Sequence, residues 1–399
     1  MNMELNFSNK MKSMKPSAIR EIFKSLGMPG AISFAAGNPA PESFPVERLE
    51  KLAAEIFQSE ASTALQYGVT EGYPPLRELV TKRLHDTFNI DTDSNMTLIT
   101  SGGQQAIELC CKVMCNEGDV VICENPSFIG ALNAFRSLGA KLVGVELEDD
   151  GISIAGLEAA LKANPQAKFL YLIPTFHNPA GITMSLEKRR AVYALAQQYD
   201  VLILEDNPYG DLRFAGEDLP TLKSMDTDGR VLYCGTFSKI LSAGMRVGFA
   251  CGCEELIQKM VIAKQVEDVH TNQFFQMLCA RYMQQYDLDA HIEGIRELYR
   301  RKCGLMLRML DTYMPSEVKY TRPEGGLFLW CTLPEGVSLK ELVSELSAQG
   351  IFVVPGTTFN CDESAPSSSF RLNYSTPSEE QIERGIKTLC DVIRQKLGK

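Results

Sequence analysis

Short apolar segments alternate with longer amphipathic segments along the chain from about residue 97 onward. The apolar runs that predict strands are 97–100, 120–123, 141–145, 169–173, 201–204 and 231–234. Several of them are apolar throughout, as expected for strands that are covered on both faces. The stretches between them that show helical periodicity are 104–116, 128–139, 154–163 and 185–199. This alternation predicts a mostly parallel α/β sheet.

The last hundred residues follow a different pattern. A long helix with a polar face is predicted over 287–313, and strands over 325–333, 351–355 and 370–374 are interleaved with helices. This order predicts a second, α+β domain. The Gly- and Pro-rich stretch 34–45 is expected to cross the surface of the larger domain as an arm or a cleft wall. No repeat or linker separates the two parts, so we expect them to pack closely.

Length and composition narrow the class of protein. At ~100–200 residues per domain, a chain of 399 residues forms two domains or one large one. Its 45% hydrophobic and 23% charged residues are typical of a globular protein and exclude disorder, collagen and coiled coil. The 50 acidic and 40 basic side chains give a net charge of −10, which argues against nucleic acid and anionic membranes as partners.

The sequence also bears on location and metal binding. No apolar run reaches the ~18–20 residues of a membrane span, and the first twenty residues lack the apolar core of a signal peptide, so we expect a cytoplasmic protein. The 12 cysteines lie in scattered apolar stretches and are expected to be reduced. Because the four histidines are far apart and no Cys-x-x-Cys occurs, no metal site is predicted.

Polar clusters follow the predicted strands, at the edge where ligands gather in open α/β sheets. The segment 101–105 (Ser-Gly-Gly-Gln-Gln) opens a helix, where free N–H groups and the helix dipole favour a phosphate. A glycine turn required only for close packing gives the same pattern. The segment 177–181 (His-Asn-Pro-Ala-Gly) can present the Asn178 amide to a cleft, although ordinary turn chemistry also explains it.

Two further clusters carry ionisable groups. Asp206 follows the fifth predicted strand and Tyr209 stands three residues later, an arrangement that a solvated strand end explains equally well. The segment 235–239 (Gly-Thr-Phe-Ser-Lys) is followed by Arg246. A lysine flanked by phosphate-binding groups suits a Schiff base with a carbonyl cofactor. Taken alone, a lysine such as Lys239 is most often a surface residue.

The order of these clusters, followed by Arg-Leu-Asn at 371–373, resembles the fold-type-I pyridoxal-phosphate aminotransferases of class I/II over nearly the whole chain. The motifs at 17–22 (Ser-Ala-Ile-Arg-Glu-Ile), 37–42 (Gly-Asn-Pro-Ala-Pro-Glu) and 65–72 (Leu-Gln-Tyr-Gly-x-x-Glu-Gly) are most similar to the branch of 2-aminoadipate and kynurenine/aminoadipate aminotransferases. None of these motifs identifies the family by itself; the resemblance rests on their occurring together in this order.

The resemblance implies a particular architecture. It implies a large domain with a mostly parallel seven-stranded sheet flanked by helices, and a smaller α+β domain. The expected boundaries are 1–45 for an N-terminal arm that contributes to the small domain and the cleft, 46–290 for the large cofactor-binding domain, and 291–399 for the small C-terminal domain. Tyr67 matches a tyrosine that reaches the phosphate bound by the neighbouring subunit, which implies a homodimer with shared active sites. Thr271, which follows His270, is expected at the same interface.

The resemblance also assigns residues to the cofactor, pyridoxal 5'-phosphate. Lys239 matches the lysine that bonds to the cofactor and then moves a proton, and Asp206 matches the carboxylate that pairs with the pyridine nitrogen. Tyr209 and Asn178 are expected to donate to the ring oxygen, and Phe128 to stack on the ring. The groups expected to bind the phosphate are the backbone N–H groups of Gly103 and Gln104, the hydroxyls of Thr236 and Ser238, and Arg246.

Substrate contacts follow from the same resemblance. Arg371 matches the arginine that binds the substrate α-carboxylate through a planar fork. Gly37 is expected to offer a backbone contact on the opposite side, and Asn178 to face the substrate as well. Arg20 matches an arginine that binds a side-chain carboxylate, although it can equally belong to a solvated helix face and pair with Glu21 or Glu47.

The function implied is transamination from an L-amino acid to a 2-oxo acid such as 2-oxoglutarate, with ping-pong kinetics. Aminoadipate, aromatic, branched-chain and glutamate donors all fit. A pyridoxal-phosphate β-lyase or racemase is an alternative with the same cofactor. A cofactor-sensing regulatory domain requires an N-terminal DNA-binding segment, for which family-like sequence from about Ser17 leaves no room. A nucleotide-binding module leaves Lys239, Asp206 and Arg371 unexplained.

Overall fold

The computed structural model describes residues 5–14 and 30–398. Within them the strands are β1 Ile32–Ser33, β2 Asn95–Thr100, β3 Val120–Asn125, β4 Lys141–Glu148, β5 Gly151–Ile152, β6 Phe169–Leu172, β7 Leu202–Asp206, β8 Val231–Thr236, β9 Gly248–Cys253, β10 Lys319–Tyr320, β11 Phe328–Thr332, β12 Ile351–Phe352, β13 Val354–Pro355 and β14 Ser369–Asn373. The helices are α1 Asn9–Ser13, α2 Val46–Ser59, α3 Ala61–Leu65, α4 Pro74–Phe88, α5 Gly103–Met114, α6 Ile129–Ser137, α7 Ile154–Ala163, α8 Leu186–Gln198, α9 Glu254–Gln265, α10 Gln273–Gln285, α11 Leu288–Tyr313, α12 Leu339–Ala348 and α13 Glu379–Lys396.

The large sheet has the strand order β2-β9-β8-β7-β6-β3-β4-β5. Strands β8, β7, β6, β3 and β4 are parallel, as the alternation of strands and helices predicts. The resemblance implies seven strands, and seven of the eight have four residues or more. The additional strand, β5, has two residues and pairs antiparallel with the end of β4. It is too short to leave a periodic signal in the sequence.

Strand β9 is absent from the strands predicted by the apolar pattern. Its sequence, Gly-Phe-Ala-Cys-Gly-Cys, has two glycines and small side chains, which give it little β-propensity. It lies antiparallel between β2 and β8. Because β9 runs opposite to its neighbours, its first residue lies at the edge where β2 and β8 end. The segment just before β9, which contains Arg246, is therefore brought to that edge.

Both faces of the sheet are covered by helices. Along β3, Val121 and Cys123 belong to an apolar cluster with α5, α6 and α9, whereas Ile122 belongs to a cluster with α7 and α8. Alternate residues of one strand therefore enter two different cores, which explains why the run 120–123 is apolar throughout. No helix in the described ranges is long and apolar enough to cross a membrane.

A smaller antiparallel sheet, of order β10-β11-β14-β13, lies in the C-terminal part. It shares one continuous apolar cluster with α2, α4, α11 and α13. The 26-residue helix α11 begins at Leu288, so the predicted boundary between residues 290 and 291 falls in its first turn. The division into an arm and two domains stays a prediction.

Much of the stretch 34–45 is buried and does not cross the surface as an arm, although Asn38, Pro41 and Glu42 are exposed. Phe34, Ala35 and Ala40 are buried, and the carbonyl of Phe34 accepts a hydrogen bond of 2.8 Å from the N–H of Asn373. The preceding strand β1 pairs in parallel with β12. The stretch forms one wall of the cavity described next, through Gly37 and Asn38.

Candidate active site

A cavity of about 320 Å³ opens at the carboxyl edge of the large sheet. Strands β2, β3, β6, β7 and β8 all end at this edge, which is where open α/β sheets bind ligands. Among the predicted site residues that the structure describes, all except Tyr67 line the cavity. These residues are Gly37, Gly103, Gln104, Phe128, Asn178, Asp206, Tyr209, Thr236, Ser238, Lys239, Arg246 and Arg371. Positions up to 334 residues apart in the sequence therefore face one space.

Tyr67 does not belong to this group. The side chain of Tyr67 is 79% exposed and lies edge-on to the His270 ring, with 5.8 Å between ring centroids. Arg20 lies outside the described residues. Thr271 is buried, and its hydroxyl lies 3.2 Å from the Ser101 hydroxyl.

Asp206 is the last residue of β7 and is only 5% exposed. Burial disfavours the charged carboxylate and raises its pKa to about 6, although the hydrogen bond from Tyr171 acts in the opposite direction. Tyr171 Oη donates to Asp206 Oδ2 at 2.7 Å. This bond fixes one carboxylate oxygen, and the other remains available to a cationic ligand.

Lys239 is partly buried, and its Nζ donates to the carbonyl oxygen of Gly37 at 2.9 Å. Burial lowers the pKa of this amine to about 8, and the positive charges of Arg246 and Arg371 lower it further, whereas Asp206 raises it. Lys239 therefore has a substantial neutral fraction near neutral pH, which is the form that attacks a carbonyl carbon.

Arg371 comes from β14 of the small sheet and is 2% exposed. Its Nη1 donates to Asn178 Oδ1 and its Nη2 to the Ala35 carbonyl, each at 2.8 Å. The buried Nε has no hydrogen-bond partner within the described ranges. Burial lowers the pKa of the guanidinium to about 10. A buried cation with an unused donor is suited to a carboxylate ligand.

Tyr209 and Asn178 form a second pair of donors in the cavity. Asn178 Nδ2 lies 3.5 Å from Tyr209 Oη and donates to it. Burial raises the pKa of the Tyr209 phenol, so the phenol keeps its proton and stays a donor. Both groups can therefore donate to an anionic ring oxygen.

Several donors converge at the start of α5. The helix begins at Gly103, so its first N–H groups have no intrahelical acceptor. Thr236 Oγ1 lies 2.8 Å from Ser238 Oγ, and Arg246 Nη1 lies 3.4 Å from the same oxygen. Two hydroxyls, a guanidinium and a helix N-terminus together suit a phosphate group.

Sequence reasoning missed three side chains that shape the site. The guanidinium of Arg371 lies between two rings, 4.2 Å from the Phe328 centroid and 5.0 Å from that of Phe359. Neither phenylalanine stands in a recognisable motif. Tyr171 did leave a signal, because a hydroxyl within an otherwise apolar strand needs a buried partner.

The comparisons with known proteins agree with this geometry. Residues 29–389 match the family model "Aminotransferase class I and II". The chain is 41% identical to aromatic-amino-acid aminotransferase 1 of Thermococcus litoralis, over 99% of this chain and 96% of that protein. It is 38% identical to the 2-aminoadipate transaminase of Thermus thermophilus, over 96% of each chain.

A solved structure gives the same result for the fold. The kynurenine aminotransferase of Pyrococcus horikoshii, in complex with PMP, KYN as substrates and KYA as products, superimposes with a TM-score of 0.94. The two chains are 40% identical, and the match covers 98% of this chain and 97% of the other. The structural match therefore extends over nearly the whole chain.

The cofactor of this family fits the cavity. Pyridoxal phosphate has a phosphate, a ring nitrogen that can be protonated and an aldehyde. The structure provides a cluster of phosphate donors, the buried Asp206 carboxylate and the Lys239 amine around one space. The cofactor is pyridoxal phosphate, and the protein is an aminotransferase with the α/β architecture of fold type I. The chain belongs to the class I and II aminotransferase family.

Proposed function

We propose that the enzyme transfers the amino group of an aromatic L-amino acid or of 2-aminoadipate to a 2-oxo acid such as 2-oxoglutarate, with ping-pong kinetics. The observation that carries the proposal is that Lys239 and Arg371 line one cavity with Asp206. The relatives support the choice of donors, because they are named for aromatic amino acids and 2-aminoadipate.

Arg371 is the proposed binding site for the substrate α-carboxylate. Its Nε is free to donate, and the Asn178 and Ala35 oxygens orient the guanidinium. The Phe328 and Phe359 rings pack against the guanidinium and limit its rotation. A carboxylate fixed by this fork orients the bonds at the substrate α-carbon. Gly37 borders the same space and is proposed as the backbone contact on the opposite side.

Lys239 is proposed as the group that moves the proton. When bound, pyridoxal phosphate supplies an electrophilic aldehyde and a ring that accepts electrons from the substrate α-carbon. The Lys239 amine has a pKa of about 8 in the cavity, so it can both accept and return a proton near neutral pH. The carbonyl of Gly37 accepts from the amine and thereby fixes its direction.

The remaining residues are proposed to orient and tune the cofactor. Asp206 would retain a proton on the ring nitrogen, Tyr209 and Asn178 would donate to the ring oxygen, and Phe128 would cover one ring face. The phosphate would be bound by the donors that converge at the start of α5, which are Gly103, Gln104, Thr236, Ser238 and Arg246.

The apolar residues of the cavity support an apolar donor. Besides Phe128, which is proposed to cover the cofactor ring, Ile107, Ile173 and Phe328 line the cavity. Apolar walls of this kind bind aromatic and long aliphatic side chains. The assignment of Arg20 to a side-chain carboxylate, which would favour 2-aminoadipate and 2-oxoglutarate, stays a prediction.

A homodimer is part of the proposal. Tyr67 is exposed together with apolar neighbours at Leu65 and Val69, and with Val266 and Val269 of the segment that carries His270. An apolar patch of this kind supports association with a second copy. Tyr67 would then reach the phosphate bound by the partner subunit. The expected cytoplasmic location stays a prediction.

A half-reaction tests the function. Cofactor-loaded enzyme is mixed with L-phenylalanine, 2-aminoadipate or leucine without any 2-oxo acid. We expect one equivalent of 2-oxo acid per subunit, with loss of the visible band of the cofactor, and recovery of the band when 2-oxoglutarate is added. Formation of the D-amino acid would indicate a racemase. A β-lyase would form no 2-oxo acid from these donors, because none of them has a leaving group on the β-carbon, and would instead release ammonia continuously from an L-amino acid that has one.

A further inference from the structure

A buried ionic network lies behind the proposed phosphate site. Lys264, in the last turn of α9, is fully buried. Its Nζ donates to Asp268 Oδ1 at 2.8 Å and to Gln105 Oε1 at 2.7 Å. Neither Lys264 nor Asp268 lines the cavity. Burying a lysine is costly unless it is well paired, so the network calls for a physical explanation.

The network is connected to the loop that precedes α5. Ser101 N donates to Gln105 Oε1 at 2.7 Å, and Ser101 Oγ donates to Asp268 Oδ2 at 2.8 Å. Gln105 Nε2 also donates to Asp268 Oδ2, at 2.7 Å. Both the backbone and the side chain of Ser101 are therefore fixed by groups that Lys264 orients. The next residues along the chain are Gly102 and Gly103.

The same residue is connected to the guanidinium of the phosphate site. The carbonyl oxygen of Ser101 accepts from Arg246 Nη2 at 3.3 Å. Gly102 has φ +81°, and a Cβ at that position would lie 2.1 Å from Arg246 Nη2. The loop backbone and Arg246 are thus packed directly against each other, and a shift in Ser101 would move both.

We propose that Lys264 and Asp268 are positioning residues for the cofactor phosphate. They do not touch the ligand but fix the loop 101–103 and, through the Ser101 carbonyl, the guanidinium of Arg246. A loop that is already ordered does not have to lose conformational freedom when the phosphate binds. The inference rests on the proposed phosphate site.

The test compares two ligands that differ only in the phosphate. Apoenzyme is titrated with pyridoxal phosphate and with pyridoxal, and the two dissociation constants are measured by absorbance. In Lys264→Met we expect the affinity for pyridoxal phosphate to fall about tenfold and that for pyridoxal to change less than about twofold. A residue that only stabilises the fold would weaken both ligands equally.

The chain offers a matched control and a milder variant. Lys223 and Asp226 form another buried pair, at 2.8 Å, that does not line the cavity, so Lys223→Met should leave the ratio of the two constants unchanged. Ser101→Ala removes the link between the loop and Asp268 without stranding a buried charge. We expect it to lower the affinity for pyridoxal phosphate selectively, by about threefold.

The results distinguish a positioning role of Lys264 and Asp268 from a role in fold stability alone. If Lys264→Met does not fold, Ser101→Ala provides the test. The positioning role is wrong if the folded variants have the same ratio of the two dissociation constants as the wild type, which includes the case in which both affinities fall equally. That result leaves the proposed phosphate site intact. If the wild-type enzyme itself binds pyridoxal phosphate no more tightly than pyridoxal, the proposed phosphate site is wrong and the inference falls with it.

Discussion

At the scale of single residues, the site contains charged groups in an environment that disfavours their charge. Asp206, Lys239 and Arg371 all have pKa values shifted by burial toward the neutral form. Burial raises the pKa of the acid, Asp206, and lowers the pKa values of the two bases, Lys239 and Arg371, as the loss of solvation requires. Such groups destabilise the empty protein and are stabilised by a ligand with complementary charges.

Asp206→Asn should therefore stabilise the cofactor-free protein in a pH-dependent way. Because the folded pKa of about 6 exceeds the ordinary value of 3.8 for an aspartic acid, the folded wild type loses stability as the pH rises from about 4 to about 6. Asparagine does not ionise, so the variant should gain roughly 3 kcal/mol relative to wild type between pH 4 and pH 8. Urea unfolding of both apoproteins measures this, and a pH-independent difference would contradict it.

Arg371→Lys should raise KM for the amino acid. Lysine supplies a point charge and cannot reproduce the planar fork, so we expect an increase of about ten- to a hundredfold in KM. The control is Arg189→Lys, because Arg189 is also buried, donates to the carbonyls of Met184, Pro174 and Pro220, and does not line the cavity. Unchanged KM in a folded Arg371→Lys enzyme would exclude the carboxylate role.

Sequence motifs predicted most of the site at this scale because its polar residues follow strands directly. Asp206 and Lys239 could be found from their neighbours along the chain. Tyr171 lies in an apolar strand and acts through Asp206. Phe328 and Phe359 pack on Arg371 from segments that no local sequence pattern connects to it. Residues that act through another residue leave little signal in a single sequence.

At the scale of elements, the phosphate site depends on the close approach of two backbone segments. A Cβ at Gly248, the first residue of β9, would lie 2.6 Å from the carbonyl carbon of Gly102. The contact brings the start of β9 against the loop that opens α5. The glycines that weakened β9 as a predicted strand therefore have a packing role at this position.

Gly102→Ala should weaken the binding of pyridoxal phosphate. The new methyl group would displace Arg246 and also strain a backbone with positive φ. We expect about a tenfold loss of affinity, which corresponds to about 1.4 kcal/mol. Gly118→Ala is the matched control, since Gly118 has φ +91° but no atom within 4 Å of the added carbon. Equal effects of the two substitutions on cofactor affinity would rule out the displacement of Arg246 as the cause.

At the scale of the whole molecule, the fold class follows from the alternation of strands and helices, which is a local property. The pairing of β1 with β12 and the burial of Phe34 and Ala35 were not predictable. They depend on partners more than three hundred residues away, and stretches rich in Gly and Pro have no periodicity that shows which face is buried. The sequence predicted only that the two domains pack closely. It did not predict that residues of both sheets belong to one apolar cluster.

The proposed homodimer can be tested with two inactive subunits. In a mixed dimer of Lys239→Ala and Tyr67→Ala chains, one site would combine the intact lysine of one subunit with the intact tyrosine of the other. Refolding the two variants together should restore about a quarter of wild-type activity, because half of the dimers would be mixed and each would have one working site. Full activity of Tyr67→Ala alone, or no recovery on mixing, would contradict shared sites.

The central claim is that the amine of Lys239 bonds to the cofactor. The enzyme is loaded with pyridoxal phosphate near pH 8, where the neutral amine is abundant, reduced with borohydride, digested and analysed by mass spectrometry. The account predicts one phosphopyridoxyl group per subunit, on the peptide that contains Lys239. A label on another lysine, or a protein that retains no cofactor after reduction, would contradict it.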